Sequence, residues 1–193
     1  MAVQSSLKNM VLCLAGVCLF CSAILALVYA VTSDPIRKAS EQALAESIGR
    51  VLPEGLELSE RRDENGMEYY VGTRDGVAGA YAVKASEIGF GGPLVLMVGV
   101  LPDGTVYNTS VLSHSETPGL GAKCGTDESF IGQWRGFSPD KVLKVKKDGG
   151  DVDAITASTI TSRAYAKAVA KAVEVVKTLE SSTGNKEGGQ ENE

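Results

Sequence analysis

An uninterrupted apolar run near the N-terminus constrains this chain more than any other feature. The 22 consecutive residues from Met10 to Val31 carry no charged side chain. A helix needs about 20 apolar residues to cross the hydrocarbon core of a bilayer. The run therefore predicts one transmembrane helix, with residues 1–32 as an N-terminal anchor.

A cleaved signal peptide is the competing interpretation of this run, because Val28-Tyr29-Ala30 places small residues where a signal peptidase requires them. The apolar core of a signal peptide usually spans only about 7–15 residues, which favours the anchor. Basic residues lie on both flanks, at Lys8 and at Arg37 and Lys38, and blunt the positive-inside signal. We expect a single-pass protein of the cell inner (cytoplasmic) membrane whose soluble domain lies on the extracytoplasmic side.

Composition excludes several function classes. The net charge of −5 gives nucleic-acid binding no electrostatic support. The chain has one histidine, which excludes a multi-histidine metal site, and we expect no metal. Three of its four cysteines lie in the apolar run, so Cys124 has no cysteine partner within the soluble part.

The soluble part has the pattern of an α+β domain. A loose apolar stripe predicts a helix from Ser33 to Leu52, with Pro35 in its first turn. Short strand signals around Thr73-Arg74-Asp75-Gly76 and Pro102-Asp103-Gly104 predict two antiparallel hairpins. Apolar residues that recur every four positions predict a helix from Thr159 to Leu179. The expected fold class is therefore α+β.

These elements divide the chain into three predicted parts. The anchor occupies residues 1–32, and one domain occupies residues 33–180, with its core at about 79–180. Residues 181–193 have no apolar content and predict a disordered tail.

Two segments of the soluble part suggest a binding site. The first, Ser113–Gly121, is rich in glycine; it is typical of a surface turn, although such glycines also let a backbone approach a flat ligand closely. The second, Asp153–Ser162, precedes the last helix, and five of the seven residues from 156 to 162 are Ser or Thr. A helix cap explains some of these hydroxyls, and a helix N-terminus also suits a phosphate.

These segments carry a resemblance to a known family. The order of anchor, Gly89-Phe90-Gly91-Gly92-Pro93, Glu-Thr-Pro-Gly-Leu-Gly at 116–121 and the hydroxyl segment resembles the FMN-binding G subunit of the Rnf ion-translocating electron-transport complex. The C subunit of the sodium-pumping NADH:quinone reductase shares that FMN-binding domain. The resemblance extends from the anchor to Leu179.

The resemblance implies a covalent cofactor. In that family a phosphodiester joins FMN to the threonine of an Asp-x-x-Ser/Thr-Gly-Ala-Thr-x-Thr/Ser motif. Here Asp153 matches the acid and Thr159 the attachment point, while Ala157 and Ser158 replace the usual Gly and Ala. If position 157 needs a positive φ, alanine costs roughly 1 kcal/mol there. The implied cofactor-binding residues are Glu116, Thr117, Gly119, Leu120, Gly121, Thr156, Ser158 and Thr159.

The function implied by the resemblance is electron transfer within a membrane ion-motive ferredoxin:NAD oxidoreductase. The implied partners are the other membrane subunits of the Rnf complex and a flavin transferase that attaches FMN. Two alternatives stay open: the FMN subunit of a sodium-pumping NADH:quinone reductase, and a membrane-anchored binding module without covalent flavin.

Overall fold

The computed structural model describes residues 7–64 and 66–187. The chain divides into two compact units, one ending at Ala43 and the other beginning at Leu44. The helices are α1 (Leu7–Val51), α2 (Glu128–Gly132) and α3 (Thr159–Glu187). The strands are β1 (Glu57–Leu58), β2 (Arg62–Glu64), β3 (Met67–Arg74), β4 (Val77–Ile88), β5 (Pro93–Val100) and β6 (Val106–Ser113).

The apolar N-terminal run lies in α1, which is longer than predicted. Within the described residues, α1 is the one helix long and apolar enough to cross a membrane. The segment predicted as a helix from Ser33 to Leu52 is helical up to Val51, but no helix begins at Ser33, because α1 continues through Pro35 as a single helix. Proline removes one i→i−4 hydrogen bond, and here this interruption does not end the helix.

Both predicted hairpins are present in the sheet. The strand order is β1-β3-β4-β5-β6, with β2 paired to β3, and all these pairs are antiparallel. Between β3 and β4, Asp75 and Gly76 have φ values of 53° and 80°. Positive φ at both central residues matches the strand twist in a two-residue hairpin turn. Between β5 and β6, Gly104 has a φ of 87°.

Each face of the sheet packs against a helix. On one face, alternate β5 residues such as Leu94, Leu96 and Val98 share a buried cluster with α3. On the other face, Met97 packs in a cluster with the last turn of α1. Burial on both faces explains why the sequence of β5 is a continuous apolar run.

The helix α3 also extends further than predicted. It continues to Glu187, seven residues into the segment predicted as a disordered tail; residues 188–193 lie outside the described residues. Propagating an existing helix is far easier than nucleating one. The Tyr81 hydroxyl also donates a hydrogen bond to Glu180 Oε1 at 2.6 Å, which ties this end of α3 to the sheet.

Candidate functional site

The turn that leads into α3 depends on the backbone conformation of Ala157. This residue has a φ of 61°, in the left-handed region that costs an L-residue roughly 1–2 kcal/mol. The Ser158 N–H donates to the Ile155 carbonyl at 3.0 Å and closes the turn. The chain thus adopts a glycine-like conformation with an alanine, and α3 begins two residues later at Thr159.

Two hydroxyls of the 156–162 segment hold this turn in place. Ser162 Oγ is fully buried; it donates to the Ser158 carbonyl at 3.0 Å and accepts from the Ile155 N–H at 3.0 Å. Thr161 Oγ1 donates to Glu116 Oε2 at 2.7 Å. Part of the hydroxyl excess therefore has a structural role, as the helix-cap interpretation allows.

The carboxylate of Glu116 joins three separate segments. Its side chain is buried, and its Oε2 accepts the hydrogen bond from Thr161 on α3. Its Oε1 accepts hydrogen bonds from the backbone N–H groups of Phe90 at 2.8 Å and Gly91 at 3.4 Å. Glu116 thus fixes the 89–92 loop and the 114–121 loop against the first turn of α3.

Three glycines make room for this arrangement. A Cβ at Gly89 would collide with Oε1 of Glu116, and one at Gly91 would collide with the Ser115 carbonyl. A Cβ at Gly121 would collide with Oε2 of Glu116 and lie 2.7 Å from Thr161 Oγ1. The missing Cβ at Gly121 therefore lets the backbone approach the side chains of Glu116 and Thr161 closely.

The three segments enclose a cavity of about 330 Å³ at the N-terminal end of α3. Its rim carries three large apolar side chains that are substantially exposed: Phe90 (69%), Leu120 (45%) and Ile160 (51%). The lining also includes the half-buried Thr159. Because the first N–H groups of a helix lack intrahelical partners, this wall of the cavity carries partial positive charge.

The structure brings most of the expected site residues together. Six of the eight line the cavity: Glu116, Thr117, Leu120, Gly121, Ser158 and Thr159. The other two, Gly119 and Thr156, are exposed and are not part of the lining. The lining also contains four residues that were not among those eight: Phe90, Ala157, Ile160 and Thr161. In the sequence, the Gly-Phe-Gly-Gly-Pro motif contains Phe90, and the family's attachment motif ends at Thr161. These two motifs could have added both residues to the expected site.

Charged side chains of both signs lie close to the start of α3, Lys147 beside Thr159 and Glu116 beside Thr161. Lys147 Nζ donates to Thr159 Oγ1 at 3.5 Å, beside the start of α3. Outside the cavity lining, burial raises the pKa of the Cys124 thiol to about 11, and the negative charge of Glu116 adds to this shift. An anionic group is therefore favoured beside Thr159.

Comparison with known families defines the class of this domain. Residues 89–174 match the FMN-binding domain family. This range begins at the first glycine of the 89–92 loop and contains every residue that lines the cavity. Residues 89–174 thus form an FMN-binding domain.

Relatives then define the family. The chain is 37% identical over 172 residues to the G subunit of the proton-translocating ferredoxin:NAD(+) oxidoreductase complex of Clostridium ljungdahlii, covering 88% of this chain and 89% of that protein. It is 36% identical over 174 residues to the G subunit of the ion-translocating oxidoreductase complex of Shewanella baltica, covering 80% and 82%. The crystal structure of the C subunit of Na(+)-translocating NADH-quinone reductase from Parabacteroides distasonis aligns over 59% of each chain, with 25% identity and a TM-score of 0.41. This chain belongs to the G-subunit family of ion-translocating oxidoreductase complexes.

Proposed function

We propose that this chain is the FMN-carrying electron-transfer subunit of a membrane-bound, ion-translocating ferredoxin:NAD oxidoreductase complex. Its membership of the G-subunit family and its FMN-binding domain support this function. The observation that carries the proposal is the cavity that joins an apolar rim to the Thr159 hydroxyl at the start of α3.

The residues around the cavity fit the two chemically different parts of FMN. Phe90, Leu120 and Ile160 offer apolar surface to a flat isoalloxazine ring. The start of α3 and Lys147 offer partial and full positive charge to a phosphate. When bound, FMN supplies reversible electron transfer, and groups close to the ring set its potential.

The attachment point in this proposal is the Thr159 hydroxyl. A flavin transferase would supply a flavin dinucleotide, whose phosphoanhydride bond activates the flavin phosphate. The Thr159 oxygen forms a bond to the flavin phosphorus while the phosphoanhydride bond breaks and adenosine monophosphate leaves. The hydroxyl proton passes to a base of the transferase, and no electrons are gained or lost. A phosphodiester with one negative charge remains beside the positive end of α3.

Glu116 acts in this proposal by positioning other groups. Both its carboxylate oxygens already accept hydrogen bonds from the protein, from Phe90 and Gly91 on one side and Thr161 on the other. It therefore sets the distance between the Phe90 loop and α3, which is the width available to a flavin ring. Ser158 lines the cavity beside the acceptor.

The apolar helix and the family membership support a membrane location for this protein. We propose that α1 holds it in the cytoplasmic membrane, next to other membrane subunits of the complex. The domain from Leu44 onward would then lie on the extracytoplasmic side, where the flavin transferase reaches it. Protease protection in sealed right-side-out and inverted vesicles tests this orientation, and cleavage of the domain only in inverted vesicles contradicts it.

Mass spectrometry of the full-length chain tests the attachment. Coexpression with a flavin transferase is expected to add one FMN by intact mass, and peptide analysis is expected to locate it on Thr159. Thr159→Ala should abolish the covalent label without unfolding the protein, because alanine is the best helix former. Thr159→Ser should keep partial labelling, since the nucleophilic oxygen survives.

Thr156→Ala is the matched control for this experiment. Thr156 lies in the same hydroxyl segment but is exposed and is not part of the cavity lining, so its variant should label like the wild type. Flavin on Ser158, or flavin retained in Thr159→Ala, would place the attachment elsewhere. No flavin on any wild-type peptide, with an active transferase present, would leave a binding module without covalent flavin.

A further inference from the structure

Lys147 is a charged residue beside the site that none of the sequence motifs includes. It lies in a short 3₁₀ turn, Lys146–Asp148, and precedes Thr159 by 12 positions in the chain. Its Nζ lies 3.5 Å from Thr159 Oγ1. The side chain thus reaches from a separate loop to the hydroxyl proposed as the attachment point.

The loop that carries Lys147 is held in a defined conformation. The Lys146 N–H donates to the Val152 carbonyl at 2.8 Å, and the Val152 N–H donates to the Lys144 carbonyl at 3.0 Å. Val145 and Val152 are both fully buried. Gly150 has no room for a Cβ, which would collide with the Lys144 carbonyl. The backbone at Lys147 is therefore fixed relative to α3.

Four of the charged side chains close to Lys147 are paired with one another. Lys146 Nζ lies 2.8 Å from Asp153 Oδ2. The Asp148 carboxylate accepts two hydrogen bonds of 2.6 Å from the Arg163 guanidinium, which holds the pKa of Asp148 below its usual range. Two positive and two negative side chains are thus paired with each other. Among these five charged groups, the net charge of +1 belongs to Lys147.

We infer that Lys147 binds the phosphate group at Thr159, both as the flavin phosphate arrives and in the finished phosphodiester. This inference rests on the proposed attachment of FMN to Thr159. A lysine ammonium donates charge-assisted hydrogen bonds to phosphate oxygens as a compact point charge. The N–H groups at the start of α3 would offer partial positive charge to the same phosphate, and Lys147 would add a full charge from a separate loop. Lys147 is therefore a positioning residue for the flavin phosphate.

The expected size of the effect follows from the exposure of Lys147. Charge pairs that are exposed to water interact only weakly. Lys147→Gln should therefore slow covalent labelling about fivefold, which corresponds to ~1 kcal/mol. Lys147→Arg keeps the charge and should label within about twofold of the wild type. Lys144→Gln removes the same charge from an exposed position in the same loop and should also stay within about twofold.

The test uses the full-length protein and measures two properties of each variant. The first is the rate of FMN attachment by purified transferase, followed by intact mass. The second is the ³¹P resonance of the labelled protein, which reports the surroundings of the phosphodiester directly. We expect Lys147→Gln to slow labelling and shift the resonance, and Lys144→Gln to do neither. Circular dichroism melting of each variant checks that the fold is intact.

The outcomes separate this inference from the proposed function. If Lys147→Gln labels at the wild-type rate and its ³¹P resonance is unchanged, the inference is overturned. The proposed function then still stands. Slow labelling with an unchanged resonance would place Lys147 in contact with the transferase, which also overturns the inference. Absence of any label on wild-type Thr159 would overturn the proposed attachment itself, and the inference with it.

Discussion

Replacing Ala157 with glycine should stabilise the domain, although glycine usually destabilises a folded chain. Ala157 has a φ of 61°, a conformation in which its Cβ costs roughly 1–2 kcal/mol. The residue is exposed, so removing its methyl group sacrifices little buried area. Relief of backbone strain is therefore the dominant change in the folded state.

The net effect is the difference between this relief and an entropy cost. Glycine gains freedom in the unfolded chain, which costs about 0.5–1 kcal/mol. Subtracting this from the relieved strain leaves about 0–1.5 kcal/mol, with a central value of about 0.75 kcal/mol of stabilisation. For a domain of this size, such a change raises Tm by about 2–3 °C.

Thermal melting of the full-length protein in detergent measures this shift. Ala154→Gly is the matched control, because Ala154 lies in the same segment, packs against the core and is not among the positive-φ residues of the described chain. This control should lower Tm, since it loses packing and gains unfolded-state entropy. Ala157→Val should lower Tm as well, because a branched side chain is worse still at positive φ. A decrease for Ala157→Gly equal to that of Ala154→Gly would refute the assignment of backbone strain to position 157.

Two further predictions concern the groups around Glu116. Gly121→Ala should destabilise the domain by about 2 kcal/mol, because its Cβ would collide with Glu116. The Cβ of Gly119→Ala meets open space, so this variant should lose only about 1 kcal/mol, for its φ of 76°. Equal losses of unfolding free energy in paired urea titrations would contradict the collision. The free energy of unfolding should fall by about 1 kcal/mol between pH 8 and pH 10 on account of Cys124, because the unfolded thiol loses its proton near pH 9 and the folded one near pH 11. Urea titrations at both pH values should show a smaller fall in Cys124→Ala, and an identical fall would exclude this thiol as the cause.

The local features of the fold were predictable because they depend on residues close together in the chain. The apolar run from Met10 to Val31 predicts a spanning helix by length alone, and the structure places it in α1. The Asp75-Gly76 turn follows from the few residue types that accept positive φ at both positions, and it joins β3 to β4 as expected. The apolar period after Thr159 likewise predicts α3.

Element ends were less predictable because distant contacts set them. The sequence after Glu180 has no apolar residue, yet α3 continues to Glu187. The hydrogen bond from Tyr81 to Glu180 joins residues 99 positions apart. Similarly, Pro35 is compatible with a first turn or with a helix interior, and only the structure shows that α1 passes through it.

The candidate site divides in the same way between sequence and tertiary structure. Residue type and spacing singled out the glycine-rich loop and the hydroxyl segment, and the resemblance to the FMN-binding family singled out Thr159 within that segment. Tertiary structure decided that Phe90 joins them, since Glu116 accepts a hydrogen bond from Phe90 across 26 residues and another from Thr161 across 45. It also placed Lys147 beside Thr159. Local patterns report backbone preference and burial, whereas these contacts exist only once the sheet and α3 have packed and brought separate loops to one end of the helix.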